Sequence, residues 1–268
     1  MKIRGLLLFC LLLTGCEKEI TLDYNSVEKL PVIEGHITNE AAEVIITYTR
    51  DMENPVKATG IDGAVVTISA GNGITETLIY GDNGYYYSPS GLTGQPGSTY
   101  TLSVTLNGQE YISYSTMQNQ ALIKSTKFEW VNFMNARVLM YAVEVEDIIG
   151  EENYYYYNMY RNGENYMWDV FSDKGYTDDV IVFDIYCMIE NISGDNMDED
   201  PDEILYDGDI ITLEVKTIDK RTYDYLYSLL MSDRTSTNPI DNFTGGCLGY
   251  FSAHSVVRWE EAYKKITN

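Results

Sequence analysis

The chain has 268 residues, with 41 acidic side chains against 18 basic ones and a formal net charge of −23. So acidic a surface repels a phosphate backbone and anionic lipid headgroups, which excludes nucleic acid and argues against direct adsorption to such a membrane. The length suffices for one large domain or two ordinary ones, and 24 tyrosines beside 7 phenylalanines suit half-buried strands, where the ring packs and the hydroxyl reaches water.

Lys2 and Arg4 precede an apolar run, Leu6–Leu13, far shorter than the roughly 20 residues that span a bilayer. The start therefore reads as a cleaved export signal. It ends on Leu13-Thr14-Gly15-Cys16, which resembles the lipobox of bacterial lipoproteins. That resemblance implies a lipoprotein signal peptide over residues 1–15, acyl chains on Cys16 and a lipidated tether over residues 16–30. Several chains at one point anchor stably where one is marginal, at roughly 0.8 kcal/mol per buried methylene. An ordinary secretory signal with a chance cysteine is the alternative. Glu17-Lys18-Glu19 resembles the signal that sends Bacteroidetes lipoproteins to the outer face of the outer membrane, with Ile20 in place of a second acid. The expected location is the outer membrane, lipid-anchored and exposed at the cell surface.

From Val32 the pattern is that of strands. Val32–Ile37, Glu43–Thr49, Ala64–Ile68, Thr75–Tyr80, Tyr85–Tyr87, Thr99–Leu106 and Glu110–Thr116 are short β-branched or alternating runs. Asp82-Asn83-Gly84 and Asn107-Gly108 between them are hairpin turn signals. Close spacing of this kind predicts a β-sandwich over residues 31–118.

The second half, residues 119–268, is also expected to be mainly β. Lys124–Val131, Arg137–Glu146, Tyr154–Tyr160, Val180–Ile189 and Ile210–Ile218 read as strands, and Phe251–Trp259 as a last strand closing the sheet. In between, Tyr223, Leu226, Tyr227, Leu230 and Met231 form one apolar stripe, which predicts a helix at about 220–232 with Asp219 as N-cap. The expected fold class is mainly β, two β-sandwich-like domains, the second with one inserted α-helix.

Gly63–Ile68, Asn83–Tyr86 and Gly97–Val104 resemble the carboxypeptidase-regulatory, prealbumin-like sandwich, a non-catalytic module. Leu30-Pro31-Val32-Ile33-Glu34-Gly35-His36-Ile37 and Gly246–Ala253 are similar to the opening and the C-terminal segment of the DUF4249 lipoproteins of Bacteroidetes. That resemblance covers nearly the whole mature chain and implies an architecture and an address, with no assigned activity. Cys247 stands where the family usually shows another residue.

Few residues offer chemistry. Cys187 and Cys247 are the cysteines left after the signal and the lipid site, and an exported compartment permits a bridge between them if their Cα atoms lie within about 4.4–6.8 Å. Asp198, Asp200 and Asp202 alternate as the first ligands of a calcium loop do, with Asp209 at the twelfth position. Pro201 and Glu203, the latter where the loop needs glycine, break the match, so a solvated acidic loop competes with a Ca2+ site. His36 and His254 match no zinc or triad spacing and read as packed residues, and no nucleophile elbow, metalloprotease or phosphate-loop motif is present. No cofactor motif is present and the chain reads as a non-enzyme.

The first functional expectation is an outer-membrane lipoprotein acting as a binding or accessory module, with a TonB-dependent barrel as partner, as its address and class imply. A second is a glycan-binding surface lipoprotein in which Tyr85, Tyr86, Tyr87, the Tyr154–Tyr157 run and Trp168 stack on sugar rings; it requires those rings to be exposed together. A third is a hydrolase with an unrecognised acidic pair.

Overall fold

The structure is a computed structural model, and it describes residues 29–50, 58–134, 136–146, 151–176, 178–191, 204–235 and 237–266. Among these, the chain order is β1 (Pro31–Thr38), β2 (Ala42–Tyr48), β3 (Val65–Ala70), β4 (Thr75–Tyr80), β5 (Tyr85–Tyr87), β6 (Thr99–Leu106) and β7 (Gln109–Thr116). Then follow β8 (Leu122–Phe133), β9 (Ala136–Glu146), β10 (Tyr154–Arg161), β11 (Glu164–Ser172), β12 (Val180–Asn191), β13 (Ile210–Ile218), α1 (Lys220–Thr235) and β14 (Leu248–Ala262). Among the described residues the fold is mainly β with a single helix, as the patterning predicts.

The strands form two sheets. The larger has eleven strands in the order β11-β10-β13-β14-β1-β2-β5-β4-β3-β6-β7, and the smaller is β12-β9-β8. The larger sheet curls so that β7 returns beside β14, with Ile112 bridging Thr244. Inside that curl lies the first core: Ile33, Ile37, Val44, Ile46, Val66, Ile68, Leu102, Val104 and Phe251, all fully buried. The second core lies between the smaller sheet and β10, β13 and β14, filled by Leu139, Tyr141, Val143, Ile181, Ile185, Met159, Leu213 and Val215. Helix α1 covers the opposite face of β10, β13 and β14 through Tyr225 and Leu226, which pack with Tyr154, Val170, Ile218 and Tyr250.

β14 departs from the expected closing strand. It lies in the interior of the larger sheet, parallel to β1 over Leu248–His254 and antiparallel to β13 over Ser255–Ala262. Its sequence explains this: Gly249–Ser255 is buried on both faces, as a central strand must be and a terminal one need not. Gly249, at φ 103°, makes the approach possible, because a Cβ there would lie 2.0 Å from the Ile33 carbonyl oxygen. The same strand therefore serves the first core through Phe251 and Ala253 and packs against the second through Val257 and Trp259.

β11 is a strand the patterning does not predict. The signal was present: Asn162 and Gly163, at φ 52° and 85°, form the tight turn that folds it back on β10.

Candidate functional site

The outward face of the larger sheet collects the polar and aromatic side chains. Strand register fixes which residues share it. Glu43 pairs with Tyr87 on one side and His36 on the other, and His36 pairs with Ser252. In the neighbouring row, Ile45 lies between Tyr85 and Glu34, and Glu34 pairs with Tyr250. Farther along, Lys216 lies between Val256 and Tyr156, and Asn158 lies beside Trp168.

At the middle of this face the two histidines meet. Their ring centroids are 5.6 Å apart at 78°, and His36 also stands edge-on to Tyr250 at 5.3 Å. Ser252 Oγ and His254 Nδ1 share a hydrogen bond of 2.8 Å, whereas the buried His36 Nδ1 has no hydrogen-bond partner among the described residues. Burial, aided by the Lys216 charge, pushes the His36 imidazole down to about 4, and burial with His36 and Lys216 nearby pushes His254 well down too. Both rings are therefore neutral at pH 7. Lys216 donates to Asn158 Oδ1, reaches Glu214 at 3.3 Å and lies 4.5 Å from the Tyr156 ring centroid. Desolvation holds its ammonium below the ordinary range against the pull of Glu214. Arg258 binds Glu214 at 2.9 Å and also Glu40, so the cations of this face are spent on internal carboxylates. Glu34, between Ile45 and Tyr250 on the same face, has its carboxyl raised by desolvation.

The two histidines are packed residues, as their isolation in the sequence suggests. That they pack against each other was not legible, since it depends on the parallel pairing of β1 with β14.

The expected stacking residues divide. Tyr85 and Tyr87 lie on the outward face, nearly parallel at 18° with centroids 6.0 Å apart, and the Tyr85 hydroxyl donates to Glu43 at 2.9 Å. Tyr86 is withdrawn as a ligand contact. Strand alternation turns it into the first core, 1% exposed, with its hydroxyl donating to the Ile61 carbonyl. Trp168 is half-buried against Tyr156 and the α1 cluster, and Tyr154, Tyr155 and Tyr157 are buried. The three expected groups of rings therefore do not form one exposed platform.

The bridge between Cys187 and Cys247 is corrected. Both thiols are free and buried, Cys187 in the second core and Cys247 in the first, and burial pushes each up to about 12. Of the acidic loop, Asp198, Asp200 and Asp202 lie outside the described residues, as does Cys16. Asp209 is described and already occupied: its carboxylate accepts from Asn162 Nδ2 and from the Tyr206 amide, each at 2.8 Å. Among the described residues no group of three or more His, Cys, Asp or Glu side chains is placed to hold a metal ion. No helix among them is long and apolar enough to cross a membrane, which leaves an acyl anchor untouched.

Residues 17–258 match the family model described as a domain of unknown function, DUF4249. The chain belongs to this family. As a DUF4249 protein it has no match among curated proteins. Among solved structures it is similar to a DUF4785 family protein from Legionella pneumophila, with 9% identity over 69% of this chain and 52% of the other, at a TM-score of 0.25. The DUF4249 chain thus spans about half the length of that structure.

Proposed function

We propose that this DUF4249 protein is a lipid-anchored, non-catalytic binding module on the outer membrane of a Bacteroidetes cell, working beside a TonB-dependent transporter. The address rests on Leu13-Thr14-Gly15-Cys16 and the charged residues that follow. The prealbumin-like character of residues 31–118 belongs to the same reading. The observation that carries binding over chemistry is the state of the reactive side chains. Both imidazoles are neutral and packed, both thiols are buried and protonated, and Lys216 and Arg258 are held by carboxylates. A general base or a nucleophile needs reach and an ionisation matched to its task, whereas these imidazoles are packed and too weakly basic and these thiols stay protonated.

The test is recovery of the tagged lipoprotein from mildly solubilised outer membranes. A TonB-dependent barrel in stoichiometric amount is expected, and recovery of the lipoprotein alone overturns a stable partnership. Cys16→Ser must also release the protein from the membrane fraction.

A second reading, glycan binding, is narrowed by the burial of Tyr86, Tyr154, Tyr155 and Tyr157 to the Tyr85–Tyr87 pair with Glu43 on the open face. Aromatic rings beside a carboxylate offer a sugar both stacking and hydrogen-bond acceptance. Titration of soluble oligosaccharides against wild type and Tyr87→Ala decides it, since equal or absent binding in both removes this reading.

A further inference from the structure

We propose that the outward face of the β8–β9–β12 sheet docks an extended segment of a partner protein in which aliphatic residues are flanked by lysine or arginine. The proposal rests on the binding-module reading and adds to it a surface and the chemistry of its occupant. The inner face of this sheet is spent on the second core, through Leu139, Tyr141, Val143, Ile181 and Ile185. The outer face of such an antiparallel sheet is ordinarily polar. Here it is not. Register places Val131 beside Val138, and Met140 between Glu129 and Tyr186. Val131 and Tyr186 are 46% and 48% exposed, and these rows line a groove of about 320 Å³ with Asp184 at its side.

Charge selects the occupant. On this face Glu129, Glu144, Glu146 and Asp184 stand against Lys124 and Lys127, and those two lysines already pair with Glu146 and Glu129. The whole chain carries −23, so a second copy is repelled and so is any acidic or anionic surface. A segment that places aliphatic side chains in the groove and positive charges on its acidic margin answers both features. Electrostatic attraction of this kind raises the rate of encounter, and the apolar contact retains the partner.

The test uses the full chain and two synthetic nine-residue peptides, one alternating leucine with lysine and one alternating leucine with glutamate. Titration calorimetry at physiological salt should show saturable one-to-one binding of the leucine–lysine peptide only. Met140→Lys should weaken it at least tenfold, whereas Glu110→Gln, the same change of net charge on β7, should leave it unaltered. Tyr186→Ser trims an exposed ring and serves as a second groove variant should Met140→Lys not fold. No binding, equal binding of the leucine–glutamate peptide, unchanged binding in the folded groove variants, or an equal loss with Glu110→Gln overturns the proposal. If wild type and Tyr186→Ser recover the same barrel from membranes, the module reading stands while this surface falls.

Discussion

His36 and His254 show how one residue pair ties stability to pH. Their folded-state ionisation lies below the ordinary value of about 6.5, with His36 near 4, so the unfolded chain binds more protons across that interval. The stabilising contribution is complete above about pH 6.5 and is lost as pH falls toward 4. Between pH 6.5 and 5 the His36 ring should cost about 1.5 kcal/mol, the full slope of about 1.36 kcal/mol per pH unit applying only once the unfolded ring is protonated, and His254 adds to it in the same direction. Glu34 acts in the opposite sense, because its raised carboxyl is costly when ionised. Urea midpoints at pH 7.5 and 5 should therefore fall, and His36→Gln should flatten the dependence; a variant with the wild-type slope would place its cause elsewhere. At this scale the sequence was partly legible. Alternation alone turns Tyr86 inward and Tyr85 and Tyr87 outward, so the inward course of Tyr86 could have been read from its neighbours. The separation of Cys187 from Cys247 depends on two cores that only the assembled sheets define.

Asp219 acts at the scale of elements. Its Oδ1 accepts the Thr222 amide at 2.9 Å, the N-cap that the apolar stripe of α1 predicts. Its Oδ2 accepts from the Ser115 hydroxyl at 2.8 Å and the Thr116 amide at 2.9 Å, which ties the helix to β7. Two further donors join the same region to β14: Ser115 Oγ accepts the Ala253 amide, and Asn242 Oδ1 accepts the Phe251 amide. In this way side chains meet amides of β14 over the stretch that pairs with β1 but not with β13. Asp219→Ala should cost about 2–3 kcal/mol, above the roughly 1 kcal/mol of an ordinary cap, because the Thr116 amide loses its partner as well. Denaturant unfolding checks this, and a loss near 1 kcal/mol would reduce Asp219 to a cap. The cap was legible from residue type and position; its reach to β7 was not, being a contact more than a hundred residues away in the chain.

Across the whole molecule, β14 makes two cores one structure. Strand content, the helix and most strand positions follow from local patterning, because alternation and turn residues act over a few neighbours. The parallel pairing of Val32 with Leu248 leaves no local mark. Calorimetry should therefore show a single transition, and Phe251→Ala, which empties a fully buried site, should lower it by the equivalent of about 3–5 kcal/mol without splitting it. Two resolved transitions would mean that the halves unfold separately. The place of β14 also governs the order of events during synthesis. Chains emerge from their N-termini, yet β1 cannot complete its pairing until residues 248–254 have appeared. Contacts of that separation form slowly, since the intervening loop must close first. A chain broken before Leu248 therefore lacks the strand common to both cores, and unfinished copies remain open to proteolysis while finished ones close.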